Sequence, residues 1–170
     1  MKATSSFFKF INERNSDEEY SLARNPNTDP EILDELSMSQ YLSVKHVVAS
    51  NPNTRPETIG KLFASFGSVS HFGIAENPNT PVQILIAMLT QGLEEGRDIL
   101  LNVLAKNPSL PEEALTLLRD YDSSEVRCAV ASNPNTGLGD LLELALDSNH
   151  TVKKAAAANP KLVDLSDYLD

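Results

Sequence analysis

The sequence predicts an all-α fold of tandem two-helix repeats, and three observations carry that reading. The tetrapeptide Asn-Pro-Asn-Thr begins at Asn25, Asn51, Asn77 and Asn133. Recurrence at a period of about 20–50 residues is the mark of stacked units that bury their apolar faces against one another. Alanine stands two positions before each of these asparagines. Around them, apolar residues recur at spacings of three and four, the period of a helix face and not of a strand.

Asn107-Pro108-Ser109-Leu110 and Asn159-Pro160-Lys161-Leu162 are degenerate copies, so the Asn-Pro starts fall at 25, 51, 77, 107, 133 and 159, with intervals of 26, 26, 30, 26 and 26 residues. The alanine column is Ala23, Ala49, Ala75, Ala105, Ala131 and Ala157, preceded by Leu22, Val48, Ile74, Leu104, Val130 and Ala156. Eight and eleven residues after the asparagine lie Leu33/Leu36, Ile59/Leu62, Leu85/Met88, Leu115/Leu118 and Leu141/Leu144. Each unit therefore holds one helix ending at the asparagine and a second beginning after the threonine.

Proline forces the break, because the residue before it is pushed out of the α region. Thr28-Asp29-Pro30-Glu31 and Thr54-Arg55-Pro56-Glu57 then read as capping boxes with threonine as N-cap and proline in the first turn, and Thr80-Pro81-Val82-Gln83 follows the same logic. Asn25, Asn51, Asn77, Asn107, Asn133 and Asn159 fall at equivalent points of successive layers, a column of amides placed to satisfy free backbone groups at each junction. Asn27, Asn53, Asn79 and Asn135 are expected to be turn formers. The long third interval places an insertion around Thr90 to Leu100, where Gly92 and Gly96 predict a loop.

The run Glu125-Val126-Arg127-Cys128-Ala129-Val130-Ala131-Ser132-Asn133-Pro134-Asn135-Thr136 resembles the signature of the leucine-rich repeat variant family. Weaker copies extend the likeness from about Glu18 to Leu165. The resemblance implies a right-handed superhelix in which α-helices alternate with shorter, partly 3-10 helices, without β-sheet. The founding type of that family binds an iron-sulfur cluster through an N-terminal cysteine group; residues 1–24 here contain no cysteine, so the cofactor is not carried over.

With 170 residues the chain is expected to form one solenoid: an N-terminal cap over about 1–17, repeats over about 18–165 and a C-terminal cap over about 162–170. Phe7, Phe8, Phe10 and Ile11 are expected to cover the first repeat. No apolar run approaches the ~18 residues of a membrane span. The single Cys128 fits a reducing compartment, and the expected location is cytoplasmic. A net charge of -10 disfavours nucleic acid and anionic lipid as partners.

Catalytic, metal and cofactor sites are not indicated: His46, His71 and His150 are scattered over different units, and no nucleophile sits in a local motif. Runs such as Glu112-Glu113 read as solvated helix ends. Six residues before each asparagine stand Glu19, Lys45, His71, Leu101, Arg127 and Lys153. Lys45, His71, Arg127 and Lys153 are thus a candidate cationic stripe for a partner; the competing reading is salt bridging between layers. Phe66, fifteen residues after Asn51, is expected in an inter-helix loop, where Gln40 and Asp122 are its counterparts, either tucked under the chain or presented to a partner. The leading expectation is a non-enzymatic scaffold that binds a protein. The rival is a nucleic-acid-binding or DNA-repair-like helical-repeat protein, and an enzyme using Gln91 to Leu101 has little residue support. Far-ultraviolet circular dichroism is expected to show a helical spectrum; one dominated by sheet would refute the repeat reading.

Overall fold

The apolar spacing is realised, in the computed structural model, as a stack of helix pairs; the structure describes residues 15–66 and 71–166. In chain order the pairs are α1 (Ser16–Arg24) with α2 (Pro30–Leu36), α3 (Leu42–Ser50) with α4 (Pro56–Phe66), α5 (His71–Glu76) with α6 (Val82–Glu95), α7 (Asp98–Lys106) with α8 (Glu112–Leu118), α9 (Ser124–Ser132) with α10 (Leu138–Leu144), and α11 (His150–Ala157) with α12 (Pro160–Ser166). No strand occurs among the described residues. The cluster Phe7, Phe8, Phe10 and Ile11 lies outside the described residues.

Both helices of each unit are α, which corrects the expectation of alternating 3-10 helices. The tighter bonding between residues three apart recurs at each junction: Asn51 N–H donates to the Val48 carbonyl at 3.1 Å, and Thr54 N–H to the Asn51 carbonyl at 3.0 Å. Proline ends the helix there by holding the preceding asparagine extended, with ψ of 118° at Asn25 and 128° at Asn51.

The first helices of the units, α1, α3, α5, α7, α9 and α11, stack directly on one another, whereas the second helices pack mainly on the first helices of their own and the next layer. The first helices form one column of the stack, here the inner one, and the second helices form the outer one. Alanine makes the close approach possible: Ala23, Ala49, Ala75, Ala105 and Ala131 are fully buried, while Ala157, in the last layer, is exposed. The pairs Leu33/Leu36 through Leu141/Leu144 fill the space between the two columns.

A helix end leaves its last carbonyls without partners. Here the next layer supplies them. Asn51 Nδ2 donates to the carbonyls of Ala23 at 2.7 Å and Asn25 at 2.9 Å, and Asn77 repeats this on Ala49 and Asn51 at 2.8 and 2.7 Å. Asn107, Asn133 and Asn159 continue it, each on the alanine and asparagine of the layer before. The amide oxygen of each accepts the N–H two residues on, closing the turn. A second rail runs alongside: Asn79 Nδ2 donates to the Pro52 carbonyl at 2.6 Å, Asn135 Nδ2 to Pro108 at 2.7 Å, and Ser109 Oγ to Pro78 at 2.6 Å. These asparagines are not selected for unusual backbone angles, because no non-glycine residue described has positive φ.

The threonine acts backwards. Instead of capping the helix that follows, its hydroxyl donates to a carbonyl of the helix before: Thr28 to Leu22, Thr54 to Val48, Thr80 to Ile74 and Thr136 to Val130, at 2.5–2.6 Å. With the hydroxyl so engaged, Asp29 is the N-cap of α2, accepting from Glu31 N–H at 2.8 Å, and α6 has no side-chain cap.

The insertion is helix, not loop. It extends α6 to 14 residues against seven in α2, α8 and α10. Four added residues are about one α-helical turn, so the buried face is kept in register. Gly96, with φ 62°, ends the helix in the left-handed conformation. At Gly92 a Cβ would stand 2.8 Å from Leu101 Cδ2, so glycine lets α7 pack close.

Replacing Asn77 by aspartate is expected to strip both donors from buried carbonyls and to destabilise the protein by about 3 kcal/mol, whereas Asn25→Asp, at the start of the ladder, is expected to cost less than about 1 kcal/mol. Urea denaturation monitored by circular dichroism distinguishes them; equal effects would contradict the ladder as the main tie between layers.

Candidate protein-interaction surfaces

In the first and fifth units, the side chain six residues before the asparagine meets the loop that follows the unit's second helix. Ser39 Oγ donates to the buried carboxylate of Glu19, and Arg127 binds Asp147 through Nε at 2.7 Å and an η nitrogen at 3.1 Å. Both pairs are 20 residues apart. Leu101, at the same register, is fully buried. Lys45 is half-buried and Lys153 exposed, and the side chains of His71 and Phe66 lie outside the described residues. The position therefore does not run as one exposed cationic stripe. Phe66 closes α4 and does not sit in a loop, because α4 runs to 11 residues where α2, α8 and α10 stop at seven.

Arg127 is a clamp between loops. Its other η nitrogen donates to the Tyr121 and Asp122 carbonyls, at 2.9 Å each, while Asp147 also accepts the Asn149 N–H at 2.7 Å at the start of α11. The side chains of Arg127 and Asp147 are 15% and 8% exposed. Hydrogen bonding to the guanidinium holds the Asp147 carboxyl below its ordinary range and raises Arg127 in turn.

Along the outer column the second helices are joined by a pair that changes sides. Between the first two layers, Thr58 donates to Asp34, which Arg55 also binds at 2.8 Å; between the fourth and fifth, Thr116 donates to Asp140 at 2.7 Å, which Arg119 binds at 3.0 Å. Arg119 further holds Asp120 at 2.6 Å and Glu143 at 3.0 Å, and the Asp120 carboxyl is lowered chiefly by that hydrogen bond. The Tyr121 phenol is raised because it donates to Asp98 at 2.8 Å.

Between the loops after α8 and α10 lies an open, polar groove of about 530 Å³, bordered by Asp120, Asp122, Arg127, Glu143 and Asp147. A smaller groove of about 270 Å³ crosses the inner face between α7, α9 and α11, where Asn102, Lys106, Glu125 and Cys128 meet Thr151. Among the described residues, no group of three His, Cys, Asp or Glu side chains converges as a metal site would require.

Large apolar side chains also reach the surface. Leu138, Leu142 and Leu146, on and just after α10, are exposed, as are Ile99 on the inner column and Leu117 on α8. Neither core periodicity nor charge marks these positions in the sequence. The available signal was a second apolar row in the fifth unit, four residues apart and offset from the core pair Leu141/Leu144.

Residues 125–149, which span α9, α10 and the Arg127–Asp147 pair, match the family model described as Leucine rich repeat variant. The segment is a leucine-rich repeat variant repeat. The same asparagine-to-alanine bonds tie this leucine-rich repeat variant unit to the layers on both sides. No curated protein and no solved structure matches the chain. Among the described residues no helix is long and apolar enough to cross a membrane.

Arg127→Ala is expected to lower stability at neutral pH by about 2 kcal/mol, since it leaves Asp147 without its charged donors. The pair is also acid-sensitive. Because the folded-state pKa of Asp147 is depressed, its stabilisation is complete above the ordinary carboxylate range and is lost as pH falls through the folded value. Denaturation of wild type and Asp147→Asn at neutral pH and near pH ~3 is expected to show a smaller acid loss in the variant; identical losses would contradict the clamp.

Proposed function

We propose that this chain is a non-enzymatic scaffold that binds another protein through an extended face of the solenoid. The observation that carries the reading is the division of labour between side chains. The repeat's asparagines and threonines are spent on backbone groups inside the stack, whereas Ile99, Leu117, Leu142 and Leu146, which the stack does not bury, are presented to solvent. Stacked repeats give such side chains a long surface on which to be arrayed. The leucine-rich repeat variant repeat is a structural unit, which is compatible with binding.

The apolar positions carry more weight here than Lys45 and Lys153, because Arg127 at the same register is committed to Asp147, and Glu19 and Leu101 are buried. A nucleic-acid partner is opposed by the net charge of -10 and by the pairing of Arg55, Arg119 and Arg127 with carboxylates.

Affinity capture from a lysate of the source organism tests the reading. A defined protein is expected to be retained after nuclease treatment, and retained equally by a Lys45→Glu/Lys153→Glu variant. Loss on nuclease treatment would favour nucleic acid; loss in the double variant would return recognition to the cations.

A further inference from the structure

On α10, Leu141 and Leu144 face the core and are buried, so the helix has no structural need for further leucines. It carries two more, Leu138 and Leu142, and Leu146 follows in the turn after it; the three are 39%, 50% and 84% exposed. A spacing of four sets Leu138 and Leu142 on one side of the helix, and Leu146 continues the row four residues further on, in the turn. The same register holds Glu112, Thr116 and Asp120 in the fourth unit and Pro30, Asp34 and Met38 in the first, so the repeat itself does not require apolar residues there.

The row has an acidic border. Glu143 follows Leu142 by one residue, about 100° round the helix axis, Asp147 follows Leu146 in the loop, and with Asp120 and Asp122 they line the groove of about 530 Å³. At the other end, the Glu112 carboxylate lies over Gly137, the residue before Leu138. The two guanidiniums present are already matched, Arg119 by Asp120, Asp140 and Glu143, and Arg127 by Asp147. Carboxylates outnumber cations, and what the surface lacks is positive charge.

We propose that the Leu138–Leu142–Leu146 row and the acidic groove beside it form a docking surface for a cationic amphipathic helix of a partner protein. The proposal rests on the scaffold reading above and deepens it. An amphipathic helix lays its apolar face on such a row and is read through anchors spaced by three and four residues. Lysine or arginine on its flank then meets Asp122 and Glu143 across the groove, which fixes orientation and speeds encounter. The alternatives fit less well: a second copy of this chain brings a further charge of -10, and an anionic membrane or nucleic acid is repelled by the same carboxylates.

The test uses the full chain and a dye-labelled synthetic helical peptide with leucine at i, i+4 and i+8 on one face and lysine on the flanks, read by fluorescence anisotropy. Saturable binding that weakens with salt is expected. Leu142→Asp/Leu146→Asp, with an unchanged circular dichroism spectrum and melting temperature, is expected to weaken it at least tenfold, and peptides with glutamate for lysine or serine for leucine are expected not to bind. Failure of the lysine peptide to bind, or equal affinity for the double variant, would overturn the proposal. So would sedimentation showing a dimer that the double variant dissociates, since a second copy would then occupy the row. If the peptide fails while nuclease-resistant capture from lysate persists, the docking surface is lost and the scaffold reading stands; if both fail, the scaffold reading is lost as well.

Discussion

Each first helix runs into a proline and leaves carbonyls at its end for the next layer to satisfy. The asparagine amide of the next layer meets two of them at once, on the alanine and the asparagine below. The other features of the junction follow from this contact. Alanine at the second position before the asparagine lets the helices come close enough for the amide to reach. Proline holds the asparagine extended, and the threonine hydroxyl closes a further carbonyl of the same helix end. A buried acceptor left without a donor costs more than a made hydrogen bond contributes, so the column specifies the register of the stack as well as its stability.

The degenerate units show how much substitution this tolerates. At Leu110 the threonine hydroxyl is replaced by a buried apolar side chain, and at Ser109 a serine hydroxyl takes the place of the second asparagine amide. The first asparagine is unchanged in both degenerate copies, and Asn107 and Asn159 make the same two bonds as the rest. A whole helical turn could be added to α6 because the addition falls between junctions and Gly96 returns the chain to the next first helix.

The repeat, its period, the buried alanines and the leucine pairs were legible from sequence because each is a local pattern repeated six times or nearly so. What was not legible depended on direction. Thr28 followed by Asp29-Pro30-Glu31 has the composition of a capping box, and nothing in that string says that the hydroxyl turns back to Leu22. The cations at Lys45, Arg127 and Lys153 share a register, yet the partner of Arg127 lies 20 residues on, at a loop position whose occupant changes from unit to unit. Gly92 and Gly96 have the composition of a loop, but one is a packing contact and the other a helix terminus. The leucine row on α10 was hidden by its likeness to the core leucines beside it.

Function, on this account, lies in what the layers do not consume. The ladder uses the invariant side chains and leaves the outer and inner faces free to differ from layer to layer, which is how the fifth unit can carry leucines and carboxylates where the first carries Pro30 and Asp34. The most direct measure of the ladder is hydrogen exchange of the asparagine side-chain amides by nuclear magnetic resonance. Slow exchange is expected for Asn51, Asn77, Asn107, Asn133 and Asn159, whose amides donate to buried carbonyls, and fast exchange for Asn25; solvent-like exchange at all six would contradict the ladder.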